Sequence, residues 1–172
     1  MDNDKEELAT MGFQEVVQIL KDPDDEFRRK IKKFKIDFDA VDGDKGKTLL
    51  INLAESNSTD NMWVILEYFA DPNIKDRDSE RTALHYACKS SFKGMILALL
   101  IFGAQADVVD KDGKKPYNLC SFGEELEQIS LKISMLRPNF IQLGRKRRKN
   151  LKEIFDTIDL GTKTIDEARL AG

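Results

Sequence analysis

The chain has 172 residues, 41% of them hydrophobic, enough to bury one sizeable core or a short solenoid with a tail left over. Its charged fraction is 34% and its net charge only −3, so charge is segregated: six basic residues fall between Arg28 and Lys35, five run from Arg145 to Lys149, and the balance elsewhere is acidic. Two cysteines, a single histidine, a charged stretch after Met1 and no apolar run near the ~20 residues of a membrane span argue against a disulfide framework and most metal and acid–base chemistry, and neither a secretory leader nor a transmembrane helix is expected.

Residues 2 to 10 are polar and expected to fray. Phe13, Val16, Val17, Ile19 and Leu20 then predict a short apolar helix that Pro23 ends. A second helix follows, with Asp24, Asp25 and Glu26 suited to its N-terminal dipole and Phe27, Ile31 and Phe34 at i, i+4 and i+7 on one face. Arg28, Arg29, Lys32, Lys33 and Lys35 fall on the other face. Asp44-Lys45-Gly46-Lys47-Thr48 reads as a turn and helix cap, Thr48 being placed to accept from orphan backbone amides.

From Thr48 onward the chain repeats. Thr82 lies 34 residues after Thr48, and Lys115-Pro116 lies 33 after Thr82, preceded by the turn Asp112-Gly113. The segments 36–42, 70–76 and 104–110 line up on the same spacing, which marks stacked units that share one core. The last unit ends in a predicted helix with Leu126, Ile129, Ile133 and Leu136 at i, i+3, i+7 and i+10, stopped by Pro138. Leu151, Ile154, Phe155 and Ile158 give a further helical pattern behind the basic run.

Thr82-Ala83-Leu84-His85-Tyr86-Ala87-Cys88 closely resembles the T-P-L-H-x-A-A signature that opens the first helix of an ankyrin repeat. Gly103-Ala104 and Phe69-Ala70-Asp71-Pro72-Asn73 resemble that family's G-A-D-V-N segment, the latter with phenylalanine for glycine. The chain departs from the pattern at Ala83 (for proline), Glu80 (for the turn glycine), Ile51 (for the histidine) and Leu53-Ala54 (for the small pair). The resemblance implies an all-α fold, a short ankyrin-type α-solenoid of helix pairs with hairpin-like loops plus a C-terminal basic helical tail. It divides the chain into a degenerate N-terminal cap over 1–42, repeats over 43–137, and a basic helix over 138–172. It further implies that Val64, Ile65 and Leu66 are buried and that His85 braces the turn with Thr82 and performs no chemistry. Cys88 and Cys120 become small core residues rather than nucleophiles or a disulfide. Residues 155–167 resemble a degenerate EF-hand. Counting from Asp159, Gly161, Lys163, Thr164 and Leu170 occupy positions where the calcium loop needs oxygen ligands and glycine, so calcium binding is not expected; an amphipathic helix with a turn is the equal alternative.

Ankyrin repeats bind protein partners, so the resemblance implies a non-enzymatic intracellular scaffold or adaptor docked in a larger assembly. A cytoplasmic setting is expected, cytoskeletal, ciliary or nuclear location being open. In the family the partner meets the hairpin tips and first helices. Carried over, the tips are Asp42 to Lys47, Arg77 to Arg81 and Lys111 to Lys114, and the exposed first-helix positions are Asn52, Glu55, Tyr86, Lys89 and Leu119. The partner-binding candidates are therefore Arg77, Arg81, Tyr86, Lys89, Lys111 and Lys114. Tyr86 between Arg81 and Lys89 has the aromatic and cationic character of a binding hot spot, a solvated charged surface being the alternative. Trp63 and Leu97, 34 apart at a second-helix position usually polar in the family, form either an outer contact stripe or a groove for the chain's own termini. The second functional reading is an anionic-surface binder acting on tubulin tails, nucleic acid or acidic lipid through the first basic cluster and Arg145, Lys146, Arg147, Arg148 and Lys149, a run that also fits nuclear import. Interleaved aromatics of an RNA platform are missing, which argues against nucleic acid. No phosphate loop, nucleophile–histidine pair or metal cluster is present, so no cofactor and no metal are expected.

Overall fold

The structure, a computed structural model, describes residues 10–133 apart from 21 and 23. Leu136, Pro138, the basic run Arg145 to Lys149 and the EF-hand-like segment lie outside the described residues. Helices form where apolar residues recur at three and four, and they follow one another in pairs along the chain. The first pair is α1 (Phe13–Ile19) and α2 (Asp24–Ile31), the second α3 (Leu49–Ser56) and α4 (Thr59–Glu67), the third α5 (Ala83–Lys89) and α6 (Lys93–Ile101). The fourth pair is a 3₁₀ turn over Pro116–Leu119 followed by α7, residues 123–133. The starts of α3 and α5, and of α4 and α6, stand 34 residues apart, as the sequence period requires.

The all-α solenoid is thus present, with one addition. Strands β1 (Thr10–Met11) and β2 (Lys35–Ile36) pair in parallel, Thr10 beside Lys35 and Met11 beside Ile36, and clasp the first helix pair. Burial follows the expected faces except at Phe34: α2 stops at Ile31, so Phe34 leaves the helical face it was expected to share with Phe27 and Ile31 and is only half-buried. Val16, Leu20, Phe27 and Ile31 face inward in the cap, Leu49, Leu50, Ile51, Val64, Ile65 and Leu66 in the next pair, and Leu84, Ala87, Met95 and Leu99 in the third. Thr48 caps α3, its Oγ1 accepting from the Ile51 amide at 3.3 Å.

The first helix of the last repeat is shorter than the period predicts. After Leu119 the backbone becomes extended at Cys120 and re-enters a helix at 123. A Cβ on Gly123 would stand 2.3 Å from the Tyr117 carbonyl oxygen, so α7 crosses the end of the 3₁₀ turn too closely for a further helical turn to fit.

Left-handed backbone recurs at fixed places. Gly46 (φ +62°), Glu80 (+54°) and Gly113 (+74°) occupy equivalent turn positions, and Phe69 (+67°) is the equivalent of Gly103 (+101°). A side chain in this region costs roughly 1–2 kcal/mol, whereas glycine enters it freely at an entropic cost of about 0.5–1 kcal/mol. The exposed Lys75–Glu80 pair, at 3.7 Å, contributes little in return. Glu80→Gly is therefore expected to stabilise the fold by up to about 1 kcal/mol, seen as a raised urea midpoint; a lowered midpoint would mean that the Glu80 side chain holds the turn.

Candidate interaction face

Three hairpin loops project between the helix pairs. Each is closed by the amide of an aspartate: Asp42 N–H donates to the Lys47 carbonyl (2.8 Å), Asp76 to Arg81 (2.9 Å) and Asp110 to Lys114 (2.9 Å). The carboxylates of the same residues then fold back on their own turns. Asp42 accepts from the Asp44 amide at 3.1 Å, Asp76 from the Ser79 amide at 2.6 Å, and Asp110 from the amides of Asp112 and Lys114 at 3.0 and 2.9 Å. Short polar side chains bonding nearby amides make such turns rigid.

Neighbouring loops are tied together at the repeat interval. Arg77 Nη1 donates to the Gly43 carbonyl (3.3 Å), Lys75 Nζ to the Val109 carbonyl (2.8 Å) and the Lys111 amide to the Ser79 carbonyl (2.9 Å). A second rung runs behind the loops: Asp39 Oδ1 accepts from the Asp71 amide at 2.7 Å, and Asn73 Oδ1 from the Gln105 amide at 2.8 Å.

Two of the predicted partner contacts are used inside the protein. Tyr86 donates its hydroxyl to Asp76 Oδ2 at 2.7 Å, and its ring lies under Lys47 Nζ at 5.0 Å. Arg81 donates through Nε to Asp110 Oδ2 at 2.9 Å, with only 17% of its side chain exposed. Both therefore brace adjoining loops rather than standing free as a hot spot. Leu97, 4% exposed, is not on a wet face either; it belongs to the core. Trp63 is half-buried and meets Phe102 of the next repeat edge-on, centroids 5.4 Å apart. Leu97 and Trp63 thus form no outer stripe, one of the two readings of this pair; the other, a groove for the chain's own termini, concerns residues outside those described. Arg77, Lys89, Lys111 and Lys114 are exposed, as expected.

Asp76, Asp110, Ser79 and Lys47 carry much of this network and were not singled out from the sequence, although Asp42, Asp76 and Asp110 recur every 34 residues. Burial opposes the charge of Asp76, but the Ser79 amide, the Tyr86 hydroxyl, the Ser79 hydroxyl and Lys47 outweigh it and hold the carboxyl below its usual range. Asp110 is held low in the same way: burial works against the charge, and the Lys114 amide, the Arg81 guanidinium and the Asp112 amide overcome it.

His85 is fully buried and has both ring nitrogens in use. Nε2 lies 3.2 Å from the Lys114 carbonyl, which can only accept, so Nε2 carries the proton. Nδ1 then accepts from the Thr82 amide (3.2 Å) and faces its hydroxyl (2.9 Å). Burial pushes the imidazole below its ordinary pKa despite the Lys114 carbonyl, so it sits as a neutral brace between its own helix cap and the next loop, as the motif implied. Cys88 is buried and Cys120 half-buried, both as free thiols. The two thiols act on each other's acidity: Cys120 and burial raise the Cys88 thiol, and Cys88, against the effect of burial, lowers Cys120 to about 7. Cys120 is thus more acidic than a plain packing residue would be.

Among the described residues no cluster of three histidine, cysteine or acidic side chains could hold a metal ion, and no helix is long and apolar enough to cross a membrane.

Stacked helix pairs with aspartate-closed loops, a T-x-L-H brace and a 34-residue period define an ankyrin solenoid. Residues 79–112, the stretch that carries the third helix pair, match the ankyrin repeat family model. It is similar to an ankyrin repeat protein of Acanthamoeba polyphaga mimivirus, 38% identical over 74 residues; the match covers 42% of this chain and 18% of the relative's length. Its fold is similar to that of the ankyrin repeat domain of Bcl-3, with a TM-score of 0.60 at 19% identity, over 69% of this chain and 56% of that one.

Proposed function

We propose that the chain is a non-enzymatic protein–protein interaction module, a scaffold or adaptor within a larger intracellular assembly, and that an acidic partner segment lies along its loop edge. The observation that carries this is the division of labour among the loop residues. Arg77, Lys111 and Lys114 at the loop tips, and Lys89 at the end of α5, are exposed, while Tyr86, Asp76, Arg81 and Asp110 behind the tips are consumed in bonds to one another. Tips already fixed in place lose little freedom when they bind.

The test compares proteins retained from cell lysate by the immobilised chain, by Arg77→Glu/Lys111→Glu and by Arg147→Ala/Arg148→Ala, at two salt concentrations. Charge reversal at the tips is expected to reduce retention of specific partners roughly tenfold. Removing the two arginines of the basic run should change it no more than about twofold, because exposed ion pairs contribute only about 0–1 kcal/mol and are screened. The opposite pattern, a salt-sensitive loss confined to Arg147→Ala/Arg148→Ala, would make the protein an anionic-surface binder instead.

A further inference from the structure

Phe69 combines two features that folding alone does not explain. Its backbone lies in the left-handed region at φ +67°, where the next repeat has Gly103, and the residue is 80% exposed, against 50% or less for Val41, Val109 and Leu131. Glycine would adopt this turn without strain, and a polar side chain would meet water more favourably. Among the described residues the ring has no aromatic neighbour of its own: Tyr68 beside it packs on Phe38 at 5.7 Å.

The turn around the ring is acidic. Asp71 follows two residues later, and the bond from its amide to Asp39 Oδ1, 2.7 Å, brings a second carboxylate to the same turn. Asp71 Oδ1 accepts from the Asn73 amide at 2.9 Å, which fixes that side chain as well. Among the described residues neither Asp39 nor Asp71 forms an ion pair, whereas Glu67 is matched by Arg28 at 2.9 Å.

We propose that Phe69, Asp39 and Asp71 form a docking site for a cationic segment of a partner protein, which lays an arginine or lysine across the exposed ring with its charge against the two carboxylates. A cation is attracted to an aromatic face, a guanidinium pairs with a carboxylate in charge-assisted bonds, and the aliphatic stem of either residue covers apolar surface. The same carboxylates repel phosphate, which turns away nucleic acid and acidic lipid. Phe69 follows α4 and is not part of any loop tip, so this is a second surface. It selects the charge opposite to the one proposed for Arg77, Lys111 and Lys114.

Amide NMR of the full chain, titrated with a capped hexapeptide alternating arginine and leucine and with its glutamate counterpart, tests the assignment. The basic peptide is expected to shift the amides of residues 67–71 and the acidic one to leave them in place. Phe69→Gly, which relieves the turn and so folds, should weaken the basic peptide at least roughly tenfold, and Asp71→Asn roughly threefold. Equal shifts from both peptides, or unchanged affinity in Phe69→Gly, would overturn the proposal. So would concentration-dependent association in sedimentation that Phe69→Gly abolishes, which would give the surface to a second copy. Movement of the 67–71 amides in the free chain on replacing Arg145 to Lys149 with alanine would also overturn it, by giving the surface to the chain's own basic run.

Discussion

Leu84→Ala is expected to lower the unfolding free energy by roughly 2–5 kcal/mol, the range for emptying a buried leucine site whose surroundings cannot collapse. Leu84 has no exposure, and α5 is held between α3 on one side and the 3₁₀ turn on the other, with α6 behind it. Three elements thus border the cavity, and none can move in without losing its own contacts. In a solenoid, stability is close to a sum of each unit and its neighbour interfaces, so a defect in a central unit weakens both interfaces at once. Urea unfolding followed by far-ultraviolet circular dichroism measures the loss. A change of only a few tenths would show that the signature leucine is not at the centre of the stack.

Asp110→Ala is expected to cost about 2–4 kcal/mol, because it leaves two loop amides and the Arg81 guanidinium without their acceptor. Arg81 keeps some access to water, which places the expected loss below the full cost of an uncompensated buried charge. The pH dependence follows from the same bonds. A carboxyl whose native pKa lies below its unfolded value contributes stability that is fully present above the unfolded value, near 4, and is lost as pH falls below it. Asp76 and Asp110 both act in this direction. His85, lowered by burial, acts higher on the scale: the unfolded imidazole takes up its proton below about 6.5 while the native one does so later, so acidification costs stability there too. Thermal midpoints of the wild type should therefore fall in two stages on acidification. Asp110→Ala should start lower and lose less in the second stage; an unchanged second stage would show that Asp110 is not held low in the native state.

Helix order and loop spacing could be read from the chain because the 34-residue period is a one-dimensional signal, and a stacked fold converts it directly into neighbours. The His85 brace was readable for the same reason, since Thr82 sits three residues away on one turn. Arg81 and Tyr86 were not, because their partners belong to adjoining loops: Asp110 lies 29 residues beyond Arg81, and Lys47 comes from the preceding repeat. A motif position tells which way a side chain leaves its helix but not whether another loop meets it there. Leu97 shows the converse, a position that is polar in the wider family but covered in this chain. The shortened helix after Pro116 depends on Gly123 crossing Tyr117, a tertiary approach that local propensity does not register.

Trp63 is the only tryptophan in the chain, and it stands against Phe102 at the seam between two successive repeats. Indole emission from this protein is therefore a local gauge. It changes when that seam opens, while separation of the N-terminal helix pair from the rest reaches it only if the opening propagates. Comparing the fluorescence transition with that of the helical backbone would show whether the solenoid melts as one body or unzips from an end, with no label added.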